Sequence, residues 1–141
     1  NDEFREKIVR QIRKHKPRIL LTVEPDRPYL RHRDHAMAGR VALDAIFPYS
    51  RDHLAYPEHL EEGLEPHKVE EVWFFRAEKP DTYVDITDYF EARQNALHSH
   101  VSQVGERSED RDQRTRERLT ETGKKIGFPL AESFKRIKIF R

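Results

Sequence analysis

The sequence predicts an α/β protein with a mostly parallel sheet in a single domain. Residues 3–15 show an amphipathic helix pattern, and a short apolar run at 18–23 follows after Pro17. A helix, a tight connection and a buried strand make up half of a βαβ unit. A second helix and a second apolar run follow in the same order. The length of 141 residues suits one domain.

Composition and charge narrow the classes of function. Only 35% of the residues are apolar and 38% are charged, which indicates a small core and much solvated helix surface. Lys and Arg number 27 and Asp and Glu number 26, and this balance argues against nucleic acid as a partner. No apolar run approaches the ~20 residues of a membrane span, and no signal-peptide pattern is seen. We therefore expect a soluble, cytoplasmic protein with no membrane partner. Cysteine is absent, so any metal must be bound by His, Asp or Glu.

The first helix has one apolar stripe, because Phe4, Ile8 and Ile12 recur at steps of four. Its basic residues are interpreted as a solvated outer surface of the α/β layers. The strand at 18–23 leads into a proline-containing loop at 24–33. Ligands of open α/β sheets bind beyond the carboxyl ends of parallel strands, so this loop is a candidate site.

A second helix is predicted at about 34–47, with Asp34 as its amino-terminal cap and Pro48 as its end. Residues 50–68 are predicted to form a loop with one helical turn near 57–63. Short apolar or alternating segments then predict two more strands, at 69–77 and 82–86.

The last third of the chain is predicted to be helical up to a final strand. Asp88 and Glu91 resemble a capping box, and the helix behind them has four apolar residues on one face: Phe90, Leu97, Val101 and Val104. The charged run at 106–125 is predicted to be a solvated helix or mobile segment. Residues 134–141 alternate apolar and basic side chains, which predicts an edge strand protected by its charges.

The segment His32-Arg33-Asp34-His35 is the strongest candidate for chemistry. Neutral imidazole is the commonest metal ligand, and a nearby carboxylate can orient an imidazole. In this hypothesis one His binds metal, the other acts as an acid or oxyanion partner, and Asp34 orients the latter. The alternative is a pair of surface or cap-neighbouring histidines, since the chain has eight His.

The spacing of other potential ligands does not complete this site. A catalytic zinc takes three protein ligands and keeps one position open. Glu24 and Asp26 lie in the same loop, and His98 and His100 lie on the later helix. His100 follows core-facing Leu97 by three positions, which places it either toward the interior or at the helix boundary.

Several segments, in chain order across residues 8–135, resemble the LmbE-like (PIG-L) zinc-dependent de-N-acetylases. Residues 22–25 followed by 32–35 resemble the family's H-P-D-H segment after a strand. Three later segments resemble its middle loop, its next strand pair and its A-L-x-x-H-x-S-Q helix, at 57–69, 71–86 and 96–103.

The resemblance implies a Rossmann-like layered fold and an enzyme that hydrolyses acetyl groups from N-acetylglucosamine-type sugars or related conjugates. His35 would be a Zn2+ ligand, His32 the acid or oxyanion-stabilising residue, and Asp34 its orienting carboxylate. Other divalent metals also bind such donors. Three further residues match a family motif and are candidates for supporting the site: His100, Ser102 and Gln103.

Two departures from the family pattern affect these expectations. Arg33 stands where the family has Pro, which would alter the loop or place a positive charge near the substrate. The family's A-H-P-D-D motif, which supplies the general base and two metal ligands, does not occur in residues 1–141. We therefore expect the chain to be the carboxyl-terminal part of one deacetylase domain, inactive alone and completed by a missing amino-terminal segment or a second chain.

Two other hypotheses stay open at this point. The chain would be a non-catalytic remnant that acts as a binding or interaction module, or a phosphate or nucleic-acid binder through its basic first helix. The near-zero net charge argues against the last. Half a parallel sheet also exposes an apolar strand edge, so we expect association with a partner fragment or with further copies in a homo-oligomer.

Overall fold

The computed structural model describes residues 2–28 and 32–139, which form two compact units. The first unit comprises the chain up to Asp81 together with the segment from Phe134, and the second comprises Thr82–Ser133. Part of the predicted loop at 24–33, residues 29–31, lies outside the described residues. Within the described ranges, no helix combines the length and the apolarity needed to cross a membrane.

The helices and strands of the first unit follow the predicted order. They are α1 (Asp2–His15), β1 (Ile19–Val23), α2 (Arg33–Asp44), α3 (Pro57–Glu61) and β2 (Glu71–Phe75). The unit also contains most of the last strand, β4 (Ala131–Lys138). Acidic residues in the first turn of α1 and basic residues in its last turn complement the helix dipole.

The core of the first unit lies between the helices and one face of the sheet. From α1, Val9 and Ile12 are buried, whereas Phe4 at the start of the predicted stripe is 41% exposed. These side chains pack with Ile46, which follows α2, and with Val72 from β2. The amphipathic pattern of the first helix therefore identified its buried face, apart from its first turn.

The ends of α2 differ from the prediction. His32, in extended conformation, is the residue that precedes the helix, and its side chain makes no capping hydrogen bond. Asp34 already lies inside the first turn, so the prediction that it caps the helix is wrong. At the other end α2 runs into a π-helical turn (Ala45–Tyr49), in which Phe47 is not helical. The residue before a proline avoids the helical region, which explains the break before Pro48.

The sheet is mixed, and the prediction of a mostly parallel sheet is wrong. Its strand order is β1-β2-β4-β3, with β3 at Thr82–Asp85. β1 pairs with β2 in parallel, from Ile19 opposite Glu71 to Val23 opposite Phe75. β2 pairs with β4 in antiparallel orientation. A Rossmann-like arrangement is not confirmed by these strands.

The last strand is not the predicted edge strand, because β4 lies between β2 and β3. Its basic side chains do not all protect an open edge. Arg136 binds the Glu71 carboxylate on the neighbouring strand, with its Nε 2.8 Å from Oε2. Alternating apolar and basic residues identified a strand, but that pattern does not specify which strands pair with it.

The second unit is built mainly from helices. After β3 it contains a 3-10 turn (Thr87–Tyr89) and three helices, α4 (Phe90–His98), α5 (Val101–Val104) and α6 (Glu109–Lys124). Its buried cluster consists of Ile86, Phe90, Leu119 and Leu130. The charged run at 106–125 thus forms a largely solvated helix, as predicted.

The prediction of one continuous helix behind Asp88 is wrong. The chain leaves the helical path between α4 and α5, and Val101 is 61% exposed rather than on a buried face. The predicted capping box is also not formed, since Asp88 lies in the 3-10 turn and the residue preceding α4, Tyr89, makes no capping hydrogen bond with its side chain. Apolar spacing alone does not show that the helix ends at His98.

Candidate functional site

The paired imidazoles of His32 and His35 lie at the start of α2. Their ring centroids are 4.4 Å apart and their planes are inclined by 40°. Both residues are exposed. Within the described residues, neither ring forms a hydrogen bond, so their nitrogens are available to a ligand.

One face of α2 connects these imidazoles to the core. His35, Gly39 and Ala42 recur at helical spacing and share this face. Gly39 and Ala42 are buried, whereas His35, one turn nearer the amino end, is exposed. A Cβ atom on Gly39 would lie 2.5 Å from the carbonyl oxygen of Val23, the last residue of β1. The face that carries His35 is therefore the face that packs on the carboxyl end of β1.

The other two residues of the segment, Arg33 and Asp34, are exposed in the first turn of α2. In the described part of the chain, no hydrogen bond joins Asp34 to either imidazole. The structure thus brings the two imidazoles together, and it does not pair Asp34 with His32.

The loop after β1 is held by its own acidic residues. Glu24 accepts a hydrogen bond from the backbone N–H of Glu78 at 2.8 Å, and so ties the end of β1 to the loop after β2. Asp26 accepts a hydrogen bond from Arg40 of α2 at 2.7 Å. Both carboxylates were candidate metal ligands, and both are engaged in binding the loop to its neighbours. Among residues 2–28 and 32–139, no three His, Asp or Glu side chains are grouped so that they could hold a metal ion.

The remaining predicted residues belong to the second unit. His100 precedes α5, and its carbonyl accepts a hydrogen bond from the Gln103 N–H at 2.9 Å. Its side chain is exposed, so of the two placements considered for His100 the helix boundary is the one observed, and it does not turn toward the interior. Ser102 and Gln103 are exposed as well.

His98, the other histidine considered as a ligand, is bound to a carboxylate. Its Nε2 lies 3.3 Å from Oδ1 of Asp112, which also binds Gln94 and Arg107. Burial raises the pKa of Asp112, but the hydrogen bonds from these three partners outweigh it and hold the pKa below its usual range. This cluster connects α4 to α6 and is explained by packing.

Two interior polar residues of the first unit had no local signal in the sequence. His59 is fully buried, stacks on Tyr56, and places its Nε2 2.7 Å from Oε1 of Glu6. That hydrogen bond is the main cause of the lowered pKa of Glu6. Arg13 is also buried and binds backbone carbonyls of the loop at 49–56. The two residues join α1 to the segment at 49–61.

Comparison with known proteins finds two relatives that are both named as diacetylchitobiose deacetylases. No family model matches the chain. A diacetylchitobiose deacetylase from Thermococcus kodakarensis is 36% identical over 104 residues, which are 74% of this chain and 39% of that protein. The structure of the N,N'-diacetylchitobiose deacetylase from Pyrococcus horikoshii, in complex with its inhibitor MPG, is 27% identical, with a TM-score of 0.80. That similarity covers 97% of this chain and 52% of the Pyrococcus chain.

Two more distant structures share the fold alone. The conserved protein TT1542 from Thermus thermophilus has a TM-score of 0.76 at 22% identity, over 99% of this chain and 60% of its own. GalB, the 4-carboxy-2-hydroxymuconate hydratase from Pseudomonas putida KT2440, has a TM-score of 0.72 at 17% identity, over 100% of this chain and 60% of its own. The chain thus spans between 39% and 60% of the length of these proteins. A hydratase with this fold shows that the fold by itself does not specify the reaction.

Proposed function

Because the chain resembles the LmbE-like (PIG-L) de-N-acetylases, as its similarity to two diacetylchitobiose deacetylases confirms, we propose that it forms part of an amidohydrolase. The substrate is an N-acetylglucosamine-type sugar or a related conjugate, and the reaction removes its acetyl group. The observation that carries this proposal is the pair of exposed, facing imidazoles past the end of β1, in a chain related to enzymes of that activity.

We propose His35 as a zinc ligand. Its imidazole fits that role, since it is exposed and makes no hydrogen bond within the described residues. It is the only ligand that the proposal takes from this chain, because the described residues gather no set of three donors. When bound, zinc would lower the pKa of a water molecule and polarise the acetamide carbonyl.

The proposed role of His32 is to donate a hydrogen bond to the acetamide oxygen and then a proton to the leaving amine. One well-placed donor to a developing oxyanion contributes about 3–4 kcal/mol of transition-state stabilisation. The 4.4 Å separation of the two rings places His32 beside the proposed metal ligand. Asp34 is proposed to orient His32 when substrate is bound, and Arg33 to place a positive charge near the substrate.

The test compares variants of the two histidines in the complete enzyme of which this chain is proposed to form part. We expect His35→Ala to lose bound zinc, measured by elemental analysis, together with release of acetate from N,N'-diacetylchitobiose. His32→Ala should keep zinc and lose most of the turnover, because its role is proton donation rather than metal binding. His53, an exposed loop histidine, provides the matched control as His53→Ala. Full zinc content and activity in His35→Ala would contradict the assignment.

A non-catalytic binding module is the second candidate. It is favoured by the absence of a three-donor metal group from the described residues. In that case the wild-type protein would bind the N-acetylated sugar in calorimetry but would hold no zinc and release no acetate. Acetate release at a rate that depends on His32 would exclude this candidate.

A further inference from the structure

Gly39 occupies the position where α2 comes closest to the carboxyl end of β1. A Cβ atom on this residue would lie 2.5 Å from the carbonyl oxygen of Val23, 3.0 Å from Cβ of Pro25 and 3.1 Å from Cδ of the same proline. The first distance is far below a van der Waals contact, so any side chain here must displace either the helix or the strand. Glycine is thus the residue that this helix position requires.

The strand end that faces Gly39 has little freedom to move. Val23 is opposite Phe75 in the parallel pairing of β1 with β2. The next residue, Glu24, accepts the hydrogen bond from the N–H of Glu78. Val23 is thus held by the strand pairing and Glu24 by its hydrogen bond. An added methyl group on residue 39 would therefore displace α2 rather than the strand.

The amino-terminal turn of α2 carries the proposed site on the same face. His35 lies four residues before Gly39, and residues four apart lie one above the other on a helix. The ring of His32 then packs against that of His35 at 4.4 Å. A displacement of α2 at Gly39 therefore moves both imidazoles relative to the end of β1.

From this geometry we propose that Gly39 is a positioning residue for the candidate site. By lacking a side chain, it lets α2 lie against the Val23 carbonyl and so sets the distance of His35 from the carboxyl end of β1. The expected effect on zinc binding rests on the proposed function. The effect of Gly39 on the position of His35 rests on the contact between α2 and β1 alone.

The variant Gly39→Ala tests the inference, in the 141-residue chain for the structure and in the complete enzyme of which it is proposed to form part for zinc affinity. Relief of the 2.5 Å contact requires a movement of about 1 Å. We expect a crystal structure of the variant to show His35 displaced by that amount from Val23. We expect zinc affinity, measured by competition with a chelating dye, to fall at least tenfold. A crystal structure in which His35 keeps its place would overturn the proposal.

Gly123→Ala is the matched control. Its added Cβ would lie 2.3 Å from the carbonyl oxygen of Phe128, a clash of the same kind in the second unit. We expect this variant to lose stability while its zinc affinity stays within twofold of the wild type. Equal losses of zinc affinity in both glycine variants would mean that Gly39 acts through stability alone, and would overturn the proposal.

If Gly39→Ala does not fold, a variant that adds no atoms to the contact is used instead. Pro25→Ala removes the Cδ atom that faces Gly39 and adds no heavy atoms to the contact. We expect chemical-shift changes at residues 32–37 and none within Thr82–Ser133, and unchanged shifts at 32–37 would contradict the proposal. If the complete enzyme binds no zinc, the proposed function fails, and the displacement of His35 in the crystal structure still decides the role of Gly39.

Discussion

The guanidinium of Arg13 is almost completely buried and is held by backbone carbonyls rather than by a carboxylate. The two hydrogens of one terminal nitrogen are shared among the carbonyls of Tyr49, Asp52 and Ala55, which lie at 3.2, 2.8 and 2.9 Å. The other terminal nitrogen donates to the carbonyl of Tyr56 at 3.3 Å. Burial lowers the pKa of Arg13, yet a guanidinium stays charged at any pH a folded protein meets. One side chain of α1 thereby binds the backbone carbonyls of four residues in the loop at 49–56.

Removal of the Arg13 side chain should lower the stability of the fold strongly. Arg13→Ala removes the hydrogen bonds of the guanidinium to the loop carbonyls. The carbonyls of Asp52 and Tyr56 keep a backbone donor, whereas those of Tyr49 and Ala55 lose the donor that Arg13 supplies, at a cost of about 1–3 kcal/mol each. We expect the free energy of unfolding in urea to fall by about 3 kcal/mol or more. Lys7→Ala on the same helix is the control, because its ion pair with Glu3 is exposed and screened by solvent and therefore contributes little to stability. Similar losses in both variants would contradict the structural role of Arg13.

At the scale of single residues, the sequence indicated a candidate site but not the buried polar residues of the interior. His32 and His35 were recognisable because two imidazoles and a carboxylate fall within four positions after a strand. Arg13 was indistinguishable from the solvated cations around it, since its partners are carbonyls about 40 positions away. Gly39 was also missed, because its role depends on a strand that no local pattern relates to it.

Among the elements, β2 and β4 are joined by side chains as well as by their backbones. The Glu71 carboxylate accepts hydrogen bonds from both the Nε and a terminal nitrogen of Arg136. Trp73, next on the same face of β2, donates its indole N–H to Glu71 at 2.8 Å. The hydrogen bonds from Arg136, and then that from Trp73, lower the pKa of Glu71 to about 2.

This lowered pKa predicts acid sensitivity. Between the ordinary pKa of 4.5 and the folded value of about 2, the unfolded chain binds a proton that the folded chain does not. The contribution of Glu71 to stability is therefore complete above about pH 4.5 and is lost as the pH falls toward 2. We expect Glu71→Gln to be less stable than the wild type at neutral pH, with a difference that shrinks across this window. Thermal unfolding at several pH values measures it, with exposed Glu70→Gln as the control. A difference that does not change with pH would contradict the prediction.

The elements themselves were predicted best where one face is apolar at regular spacing. α1 and β1 match their predictions within two residues, because Val9, Ile12 and the apolar run encode burial locally. The break between α4 and α5 was not predictable, since an apolar residue such as Val101 keeps the helical period even where it is exposed. The neighbours of each strand were also not predictable, because β4 pairs with β2 across more than 50 residues and no local pattern specifies that pairing.

At the scale of the whole molecule, β1 forms one edge of the sheet. Only β2 pairs with it among the described strands, and its five residues include no charge and no proline. Leu21 in its middle is 55% exposed. Natural edge strands usually carry charges or bulges that prevent pairing with another chain, and β1 has neither feature in its sequence.

An unprotected edge predicts association that depends on concentration. Leu21→Lys places a charge in the middle of β1, and we expect it to lower the average mass measured by light scattering at high protein concentration. Leu54→Lys, at an 87% exposed loop position, changes charge and hydrophobicity equally and should leave association unchanged. If the wild type already remains monomeric at all concentrations, the edge is not an association surface.

The place of β4 in the chain has a consequence for synthesis. Arg136 follows Glu71 by 65 residues, so the ribosome makes the whole of Thr82–Ser133 before β4, the second partner strand of β2, is complete. At about 5–20 residues per second this interval lasts about 3–13 seconds. By the end of that time all residues of the second unit have been synthesised, whereas the edge of β2 that pairs with β4 is still unpaired. For those seconds the nascent chain presents the type of surface that chaperones capture.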